Sequence, residues 1–408
     1  MINEDFIIAD LHIHSRFSRA CSKNITFENL VKYARIKGLN LLGTGDFTHP
    51  EWFKEIKEKF IDKKKGIYYY NDFPFLITGE ISLMYTQGHG RRVHLVVLVP
   101  NLEVAEKINS YLDTKGRRDY DGRPIFKISC EEFVREMRRI SENIEIIPAH
   151  IWTPWFGIFG SRSGFDSLRE AFGGQVEHIH SIETGISSDP PMNWKIKELD
   201  GKSIVSFSDS HSYWPWRIGR ESTIFKKTDS YSEIIRQIRE NDFIATIETD
   251  PGYGIYHYDG HRNCNFSCSP SKTKELNGIC PVCKRSLTIG VEYRVEELTE
   301  KNRQEDFKPE GAKPYYKLLP LHELISLAIG KGIETSGVWQ IYNHLIKEFE
   351  NEFNVLLDVS KEDMMKIGIN DELIELILKN RVGKIKVKPG YDGLYGKAIM
   401  GEKQVKLS

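Results

Sequence analysis

The strongest constraint in this sequence is that histidines and carboxylates recur where one predicted strand after another ends. In α/β barrels the carboxyl ends of the parallel strands meet at one face, which carries the active site. We therefore expect these side chains to gather at a single site, although they lie far apart in the chain. The residues concerned are Asp10, His12, His14, Asp46, His49, Glu80, His150, Glu183, Asp209 and His211, together with His94 from within a strand.

These residue types are the ones that bind hydrolytic metal ions. His12 and His14 are two residues apart in extended chain, so both side chains point to the same side. The carboxylate of Glu80 can bridge two ions through its two oxygens. A set of His, Asp and Glu without thiolates suits Zn, Mn or Fe, and such ions activate water and neutralise a phosphoryl oxygen. Glu183 has either a role in this site or a role as a loop anchor.

Strand and helix patterns alternate through the first 250 residues. Apolar residues at helical spacing follow Thr26, which can cap a helix, and Gly38 ends the pattern. Alternation over this length predicts an α/β fold of parallel βαβ units, in an open sheet or a barrel. The other predicted segments are strands at 6–11, 39–42, 75–78, 93–99, 144–149, 176–182 and 203–208, and a helix at 231–240.

Residues 251–300 form a different kind of segment, too short and too polar to build a hydrophobic core. Cys280-Pro-Val-Cys283 has the spacing of a zinc knuckle, and Cys264 lies upstream of it. The fourth ligand is either His261 or Cys268, with His261 the preferred choice. We expect one structural zinc ion in a zinc ribbon, because the segment has little else to stabilise its fold.

Residues 301–408 are predicted to form a mostly helical C-terminal domain. Alternation with Pro-Gly and Asp-Gly turns predicts a hairpin over 382–393. Residues 379–408 contain eight Lys or Arg against two Asp or Glu, so this tail carries a charge of +6. The predicted helices lie at 321–330, 338–350 and 360–380.

Composition excludes several classes of protein. Forty per cent apolar and 28% charged residues are typical of a globular chain rather than a disordered or fibrous one. The total charge of −1 gives no overall field for nucleic acid, so any basic surface must be local. No apolar run reaches the length of a membrane span, and no basic segment begins the chain. We therefore expect no membrane association, no signal peptide and a cytoplasmic location.

Aromatic and basic residues follow or flank several predicted ligands. Two tryptophans follow His150 and two more follow His211. Tryptophan on a loop can stack on an unpaired or flipped base, whereas packing in a core is its ordinary role. The sequence leaves these two interpretations equally open. The candidate substrate-binding residues are Trp152, Trp155, Trp214, Arg91 and Arg92.

Five motifs resemble those of the PHP (polymerase and histidinol phosphatase) superfamily of metal-dependent phosphoesterases. They are Asp10-Leu-His-Ile-His14, Gly43-Thr-Gly-Asp46, Gly79-Glu80, Pro148-Ala-His150 and Ser208-Asp-Ser-His211. The resemblance covers roughly residues 1–250. It implies a distorted (β/α)7 barrel that hydrolyses phosphoesters with two or three divalent ions, which would be Zn, Mn or Mg.

The same resemblance implies which residues hold each ion. One ion would take His12, His14, Glu80 and Asp209. A second ion would share Glu80 and take His94 and His150. A third ion would use His211, with Asp46 or His49 replacing ligands of the commoner pattern. The catalytic residues implied in this way are His12, His14, Glu80, His150, Asp209 and His211.

The whole chain resembles the endonuclease Q family, especially its shorter bacterial-type members. This resemblance implies a DNA-repair endonuclease that hydrolyses the phosphodiester 5′ to deaminated bases (uracil, hypoxanthine or xanthine) or abasic sites. The damaged nucleotide would be flipped into the barrel mouth, DNA would be the partner, and a sliding clamp is a further candidate partner. The matching stretches are Gly43-Thr-Gly-Asp-Phe-Thr-His-Pro50, Glu183-Thr-Gly-Ile-Ser-Ser-Asp189, Asp259-Gly-His-Arg262 and Pro389-Gly-Tyr-Asp-Gly393.

Two other functions remain as alternatives. A small-molecule phosphatase of the histidinol-phosphate type needs the same metals, but it gives the ribbon and the basic tail no task. A non-catalytic nucleic-acid-binding protein would explain those segments, but not the near-complete set of metal ligands. Relatives often carry a repair-helicase label, yet this sequence has no Gly-x-x-x-x-Gly-Lys-[Ser/Thr] loop to support helicase activity.

Overall fold

The chain combines a central mixed sheet with a group of C-terminal helices. The computed structural model describes residues 6–63, 65–303 and 306–399. The strands are β1 (Phe6–Asp10), β2 (Leu41–Gly43), β3 (Ile61–Asp62), β4 (Tyr68–Tyr70), β5 (Phe73–Gln87), β6 (His89–Val99), β7 (Ile125–Phe126), β8 (Glu145–Pro148), β9 (Ser181–Glu183), β10 (Ser203–Val205), β11 (Ser222–Lys226), β12 (Ala245–Glu248), β13 (Asp259–His261), β14 (Phe266–Cys268), β15 (Tyr315–Lys317), β16 (Lys386–Lys388) and β17 (Lys397–Ile399). The helices are α1 (Phe27–Lys37), α2 (Pro50–Lys59), α3 (Leu102–Asp113), α4 (Cys130–Ile140), α5 (Leu168–Phe172), α6 (Pro190–Trp194), α7 (Tyr231–Arg239), α8 (Pro270–Glu275), α9 (Val291–Leu298), α10 (Leu321–Ile329), α11 (Ser336–Phe349), α12 (Glu352–Leu357), α13 (Lys361–Lys366) and α14 (Asp371–Arg381).

The central sheet contains both parallel and antiparallel pairs. Its hydrogen-bonded order runs β15-β12-β11-β1-β2-β5-β4-β3, and β6 pairs with β5 and β8. Strands β1, β2 and β5 are parallel, whereas β5, β6 and β8 are antiparallel, as are β1, β11 and β12. The expectation of parallel units is therefore confirmed for β1, β2 and β5, but β6, β8, β11 and β12 extend the sheet with antiparallel pairs. A turn at Gly88, with a φ of 74° that suits glycine, folds β5 directly back into β6 without a crossover helix.

The central strands have buried side chains on both faces. On one face, side chains of β1, β2, β5, β6, β8 and β10 pack together with α7. The alternate side chains of β1, β2, β5, β6 and β8 pack with α1 to α4 in a second cluster. Strands β9 and β10 pair only with each other in the described part of the chain. Single hydrogen bonds join them to their neighbours, such as Ile151 N–H to the Glu183 carbonyl (3.2 Å) and His14 N–H to the Ser210 carbonyl (2.9 Å). The ladder is therefore interrupted on both sides of this pair.

Local capping signals place α1 where the sequence predicts it. The Thr26 hydroxyl accepts a hydrogen bond from the Asn29 N–H, which satisfies one of the free donors at the helix start. Gly38 ends the helix in the left-handed region at a φ of 97°. The prediction of a helix between Thr26 and Gly38 is confirmed.

Two other segments differ from their predictions. Residues 173–178 form a 3-10 helix, so the strand expected at 176–182 is reduced to β9. The helix expected at 360–380 is divided into α13 and α14, because Gly368 between them has a φ of 80°. In both cases the apolar pattern is real, but a backbone break that periodicity does not reveal shortens the element.

Helices α10 to α14 have a core of their own, separate from that of the sheet. This confirms the expected helical C-terminal region. The hairpin expected at 382–393 is displaced: its strands are β16 and β17, and the Pro389-to-Gly393 motif lies in the loop between them. Residues 400–408, the end of the predicted basic tail, lie outside the described residues.

No helix of the described ranges is both long enough and apolar enough to cross a bilayer.

A fully buried ion pair joins α1 to the C-terminal helices. Lys37 Nζ lies 2.6 Å from Glu352 Oε1 and 2.9 Å from the Pro215 carbonyl oxygen. Glu352 also accepts hydrogen bonds from the Tyr342 hydroxyl and the Leu321 N–H, each at 2.9 Å. Burial lowers the pKa of Lys37, and the charge of Glu352 opposes that change. Both charges have partners, which a buried pair requires to be stable.

We expect Lys37→Met to lower the free energy of unfolding by about 3–5 kcal/mol, because it leaves the Glu352 carboxylate buried and unpaired. Adding Glu352→Gln should recover part of this loss, since Gln carries no charge, its amide oxygen can accept from the Leu321 N–H, and its amide N–H can donate to the Tyr342 hydroxyl oxygen. The measurement is urea denaturation followed by tryptophan fluorescence. Lys59→Met, which removes a surface pair with Glu55, is the control and should cost under about 1 kcal/mol. Equal effects of the two methionine variants would contradict the assignment.

Candidate active site

Six ionisable side chains from five parts of the chain meet at one end of the curved sheet. The structure thus brings together six of the eleven residues that the strand-end pattern singled out. All except Asp209 are buried, and the Asp209 side chain is 27% exposed. The six are His12 and His14 after β1, Glu80 in β5, His94 in β6, His150 after β8, and Asp209 after β10.

Backbone strain coincides with three of the strand ends. The φ angle is 43° at Asp46, 30° at His150 and 47° at Asp209, in the region that favours glycine. Such conformations cost about 1–3 kcal/mol each and cluster at functional sites. At each position the chain bends sharply as it leaves the strand, so the side chain reaches the shared group of residues instead of continuing along the sheet.

The first ligand group consists of His12, His14, Glu80 and Asp209. Glu80 Oε2 lies 3.6 Å from His12 Nε2 and 3.3 Å from His14 Nε2. Asp209 Oδ1 lies 3.6 Å and 3.0 Å from the same two nitrogens. Tetrahedral ligands bound to zinc at about 2.1 Å are about 3.4 Å from one another. These four atoms therefore fit around a single divalent ion.

The second ligand group consists of Glu80, His94 and His150. Glu80 Oε1 lies 2.8 Å from His94 Nδ1 and 3.2 Å from His150 Nε2. The two nitrogens are 3.3 Å apart, again close to the spacing of atoms on one ion. Because Glu80 presents one oxygen to each group, its carboxylate can bridge two ions.

Carboxylates behind the histidines determine which ring nitrogen faces each group. His12 Nδ1 lies 2.9 Å from Glu183 Oε1, and His14 Nδ1 lies 3.0 Å from Asp46 Oδ1. A carboxylate only accepts hydrogen bonds, so each Nδ1 carries a proton and each Nε2 can present a lone pair. Within the described residues, His12 Nε2 is buried without a hydrogen-bond partner. Lone pairs that face carboxylate oxygens require a cation between them, so the donor set fits a metal ion.

The charges of the site oppose the effect of burial. Burial would lower the pKa of His12, but the carboxylates of Glu183 and Glu80 hold it well above its usual value. Burial would raise the pKa of Glu80, but the charges of His94 and Arg123 keep it well below its usual range. The groups therefore attract cations, and a divalent ion has to displace protons from histidine, so acid weakens its binding.

Two residues of this site were not among the predicted ligands or substrate contacts. Arg123 Nη1 lies 2.9 Å from Glu80 Oε2, and its side chain is 22% exposed. Glu183 accepts a hydrogen bond from the His150 N–H at 2.8 Å as well as contacting His12, so it fixes two ligand segments. No motif marks Arg123, which lies in the loop before β7. For Glu183 the signal was its position after a predicted strand.

Asp46 is not placed as a metal ligand. It is fully buried, and one of its oxygens contacts His14. The other accepts hydrogen bonds from the Ser15 N–H and hydroxyl, both at 2.6 Å, and from the Ser18 hydroxyl at 2.8 Å. The expectation that Asp46 binds an ion is therefore wrong. Its oxygens are used by the protein, and its role is to orient His14.

The other two candidates for a third ion also lie outside the ligand groups. His49 stacks on Phe17, with ring centroids 4.1 Å apart, and belongs to none of the ligand groups, so its role as a ligand remains a prediction. His211 lines the cavity beside the site, and its Nδ1 lies 3.0 Å from the Asp209 carbonyl oxygen. A catalytic or metal-binding role for His211 remains a prediction.

Two of the three predicted stacking tryptophans serve packing instead. Trp152 is fully buried, and its indole N–H donates to Asn193 Oδ1 at 2.8 Å. Trp214 stacks on Trp216, with ring centroids 5.3 Å apart, and contacts Trp339 of α11. Both predictions are wrong, because Trp152 is buried, and the half-buried Trp214 packs against other tryptophans and does not line the cavity beside the site.

The two predicted arginines differ in their surroundings. Arg91 is buried, with Nη2 2.7 Å from Glu170 Oε1 and its guanidinium 4.0 Å from the Phe165 ring centroid. Its prediction as a substrate contact is wrong, because its charge is paired with Glu170 and the flat face of its guanidinium lies against the Phe165 ring. Arg92 is exposed, 5.9 Å from the ring of Phe156, and stays a candidate.

A cavity of about 740 Å³ opens beside the two ligand groups. Phe156 forms part of its wall and stacks on His94, with ring centroids 4.2 Å apart. Trp155 lies 5.4 Å from Tyr256, edge to face, so one predicted tryptophan does face this space. Further wall residues are Arg123, His150, Thr153, Asp209, His211, Arg217, Arg220 and Tyr395.

A third group of ligands lies in the segment after β12. The group, called here the ribbon group, is His261, Cys264, Cys280 and Cys283, whose ligand atoms all lie within 4.8 Å of one another. His261 Nδ1 is 3.1 Å from Cys264 Sγ and 3.3 Å from Cys283 Sγ. Three sulfurs and one imidazole are a ligand set typical of structural zinc.

Cys268 lies outside the ribbon group. Its sulfur contacts the Thr273 hydroxyl at 3.2 Å, so the alternative that placed Cys268 as the fourth ligand is wrong. Burial works to raise the pKa of Cys280, but backbone N–H groups of Cys283 and Val282 lower it to about 7. A thiolate is therefore readily available at the centre of the group.

Fold and site together define an α/β protein with two adjoining imidazole and carboxylate groups beside a cavity, the arrangement of metal-dependent hydrolases. A family model described as the MJ0043 C-terminal domain matches residues 320–384. An uncharacterized protein of Methanocaldococcus jannaschii, MJ0043, is 36% identical over 253 residues, which are 60% of this chain and 31% of that protein. The chain thus spans about a third of the length of that relative.

Two solved structures match nearly the whole chain. The lesion-specific endonuclease PfuEndoQ from Pyrococcus furiosus is 30% identical, with a TM-score of 0.86 over 99% of this chain and 97% of that one. A complex of endonuclease Q with a 27-mer duplex carrying an abasic lesion at the active site is 31% identical, with a TM-score of 0.87 over 98% of both chains. The chain belongs to the endonuclease Q family.

Metal content tests the two ligand groups. We expect the wild-type chain to retain two ions at the strand ends and one in the ribbon group. Glu80→Gln should lose both strand-end ions, because Glu80 supplies an oxygen to each, whereas His94→Ala should lose one. The measurement is inductively coupled plasma mass spectrometry after dialysis. Glu103→Gln, on the surface of α3, is the control, and retention of both ions in Glu80→Gln would refute the bridging geometry.

Proposed function

We propose that this protein is a metal-dependent DNA-repair endonuclease that cuts the phosphodiester 5′ to a deaminated base or an abasic site. Membership of the endonuclease Q family makes it a hydrolase of DNA phosphodiester bonds. The observation that carries the metal dependence is the pair of ligand groups sharing Glu80. We further propose that the curved sheet with β9 and β10 corresponds to the distorted barrel of the PHP superfamily, and the ribbon group to a zinc ribbon.

The proposed ligands are the residues of the two groups. His12, His14, Glu80 and Asp209 would hold one ion, and Glu80, His94 and His150 a second. When bound, such ions supply an activated water and neutralise charge on the phosphoryl group. Glu183 and Asp46 keep the imidazoles in the tautomer that binds metal, so loss of either should weaken metal affinity about 10- to 100-fold.

Arg123 is suited to the phosphate rather than to an ion. Its guanidinium is permanently charged, half-buried and within hydrogen-bond distance of Glu80. Once Glu80 binds ions, that carboxylate has less charge to offer the guanidinium. An anionic phosphate oxygen in the cavity would then be its natural partner, since guanidinium binds phosphate with charge-assisted hydrogen bonds.

The cavity has the size and lining for an extruded nucleotide. Its volume of about 740 Å³ lies in the range of small-molecule sites. Trp155, Phe156 and Tyr256 supply aromatic surface for a base, and the ligand groups lie at one side of the same space. Extrusion costs least at a mispaired or damaged base, so part of the selectivity would come from the DNA itself.

We expect Asp209→Asn to reduce nicking of a uracil-containing duplex at least about 100-fold, because it removes a direct ligand of the metal ion. Mutation of a residue that only hydrogen-bonds to a ligand already lowers metal affinity or activity about 10- to 100-fold. The assay maps the product on a labelled oligonucleotide with one uracil and added divalent metal. The control is Asp229→Asn, an exposed residue paired with Lys65. Equal nicking by both variants would exclude this site, and faster turnover of phosphomonoesters than of DNA would favour a phosphatase.

A further inference from the structure

A second cavity adjoins the first between the sheet and the C-terminal helices. Its volume is about 500 Å³. Ile186, Arg217, Arg220 and Tyr395 line both cavities, so the two spaces meet at these side chains. Neither ligand group extends into the second cavity, and the proposed reaction gives it no task.

Two guanidinium groups stand at this junction without a carboxylate partner. Across the described ranges, neither Arg217 nor Arg220 has an ion pair within 4 Å. Arg220 donates to the Ser208 carbonyl oxygen at 3.1 Å and 3.3 Å, one residue before the ligand Asp209. Within the described residues, the guanidinium of Arg217 has no hydrogen-bond partner, and its carbon lies 5.6 Å from the centre of the Tyr395 ring.

The two charges act against each other. Burial lowers the pKa of Arg217, and the neighbouring charge of Arg220 lowers it further. Tyr395, Glu323 and Glu334 oppose this change, but neither carboxylate lies within ion-pair distance. Lys397 adds another positive charge to the wall of the second cavity, where Glu323 is the one carboxylate among the lining residues. Partly buried like charges are costly unless an anion compensates them.

Backbone contacts of the C-terminal hairpin fix Tyr395 at this junction. The N–H groups of Gly390 and Gly396 donate to carbonyls of Gly252 (2.8 Å) and Tyr253 (3.2 Å). A Cβ on Gly396 would lie 2.0 Å from the Gly252 carbonyl oxygen, so only glycine permits this approach. The motif from Pro389 to Gly393 thus holds the hairpin against the segment after β12, and Tyr395 is 55% exposed beside Arg217.

We propose that Arg217, Arg220 and Tyr395 form a phosphodiester-binding site for a backbone phosphate next to the scissile one, directing the cut strand from the ligand groups into the second cavity. This inference rests on the proposed function. Guanidinium groups bind phosphate oxygens with charge-assisted hydrogen bonds, and the tyrosine ring offers a face for the adjoining base or sugar. The negative charge of the phosphate would compensate the two guanidinium charges, which have no carboxylate within ion-pair distance.

The test replaces one phosphate at a time by a neutral methylphosphonate along the uracil-containing strand. Binding is measured by fluorescence anisotropy in the Asp209→Asn background, where nicking is suppressed. At one position beside the scissile phosphate, the replacement should weaken binding of protein with intact Arg217 about 10- to 100-fold. In Arg217→Gln the same replacement should have little further effect, because the contact is already lost. The slope of log affinity against log salt should also fall by about 0.7–0.9.

Matched variants separate this contact from general effects. Arg236→Gln removes a guanidinium that is paired with Glu233 and Asp242 at the other end of the sheet, and it should keep the full methylphosphonate effect. Arg217→Lys keeps the positive charge but loses the two parallel N–H donors of the guanidinium, so it should retain part of the methylphosphonate effect. Circular dichroism and metal content should be unchanged in each variant.

The outcomes distinguish this inference from the proposed function. Nicking of unmodified uracil DNA by the wild type, with no methylphosphonate position dependent on Arg217, would overturn the phosphate site alone. Absence of nicking would overturn the proposed function, whereas the binding data would still report on Arg217. Displacement of the oligonucleotide by inorganic phosphate at equal affinity would assign the site to free phosphate and overturn the path for a DNA strand.

Discussion

The arrangement of lone pairs at the strand ends is the constraint on which the structure depends. Imidazole nitrogens and carboxylate oxygens face one another at 2.8–3.6 Å in a space that is largely shielded from water. Without a metal ion, protons on the histidines balance the carboxylates, which hold the pKa of His12 and of His14 well above its usual value, and a bound metal ion would replace those protons. Glu80 stands at the centre, because each of its oxygens belongs to a different ligand group.

The surrounding structure supports this arrangement at two levels. Close to the site, the buried carboxylates of Glu183 and Asp46 accept hydrogen bonds from the Nδ1–H groups of His12 and His14, and left-handed backbone at His150 and Asp209 turns the chain at the strand ends. Further away, the buried pair of Lys37 and Glu352 holds the C-terminal helices against α1. Tyr395 of the C-terminal hairpin lines the cavity beside the site, and α10 lines the second cavity next to it.

The sequence predicted the ligand residues better than the surfaces around them. His12 and His14 could be paired because alternate residues of an extended chain share a side, and this needs no knowledge of the fold. Trp152 and Arg91 were misassigned, because a residue close to a ligand in the chain can lie on either side of the loop that carries it. Arg123 was missed, since an arginine in a loop has no periodic signal, and only packing brings it to Glu80.

The sequence by itself determined the alternation of strands and helices in the first 250 residues, the helical C-terminal region, most of the side chains in the two candidate ligand groups, and the family resemblance. These features depend on residue type and on spacing along the chain, which local physical chemistry controls. The tertiary structure alone decided that the sheet is mixed, that His261 rather than Cys268 joins the ribbon group, and that Asp46 orients a ligand instead of binding metal. Each of these depends on distances between residues remote in sequence, which are set by how the cores pack and not by any local pattern.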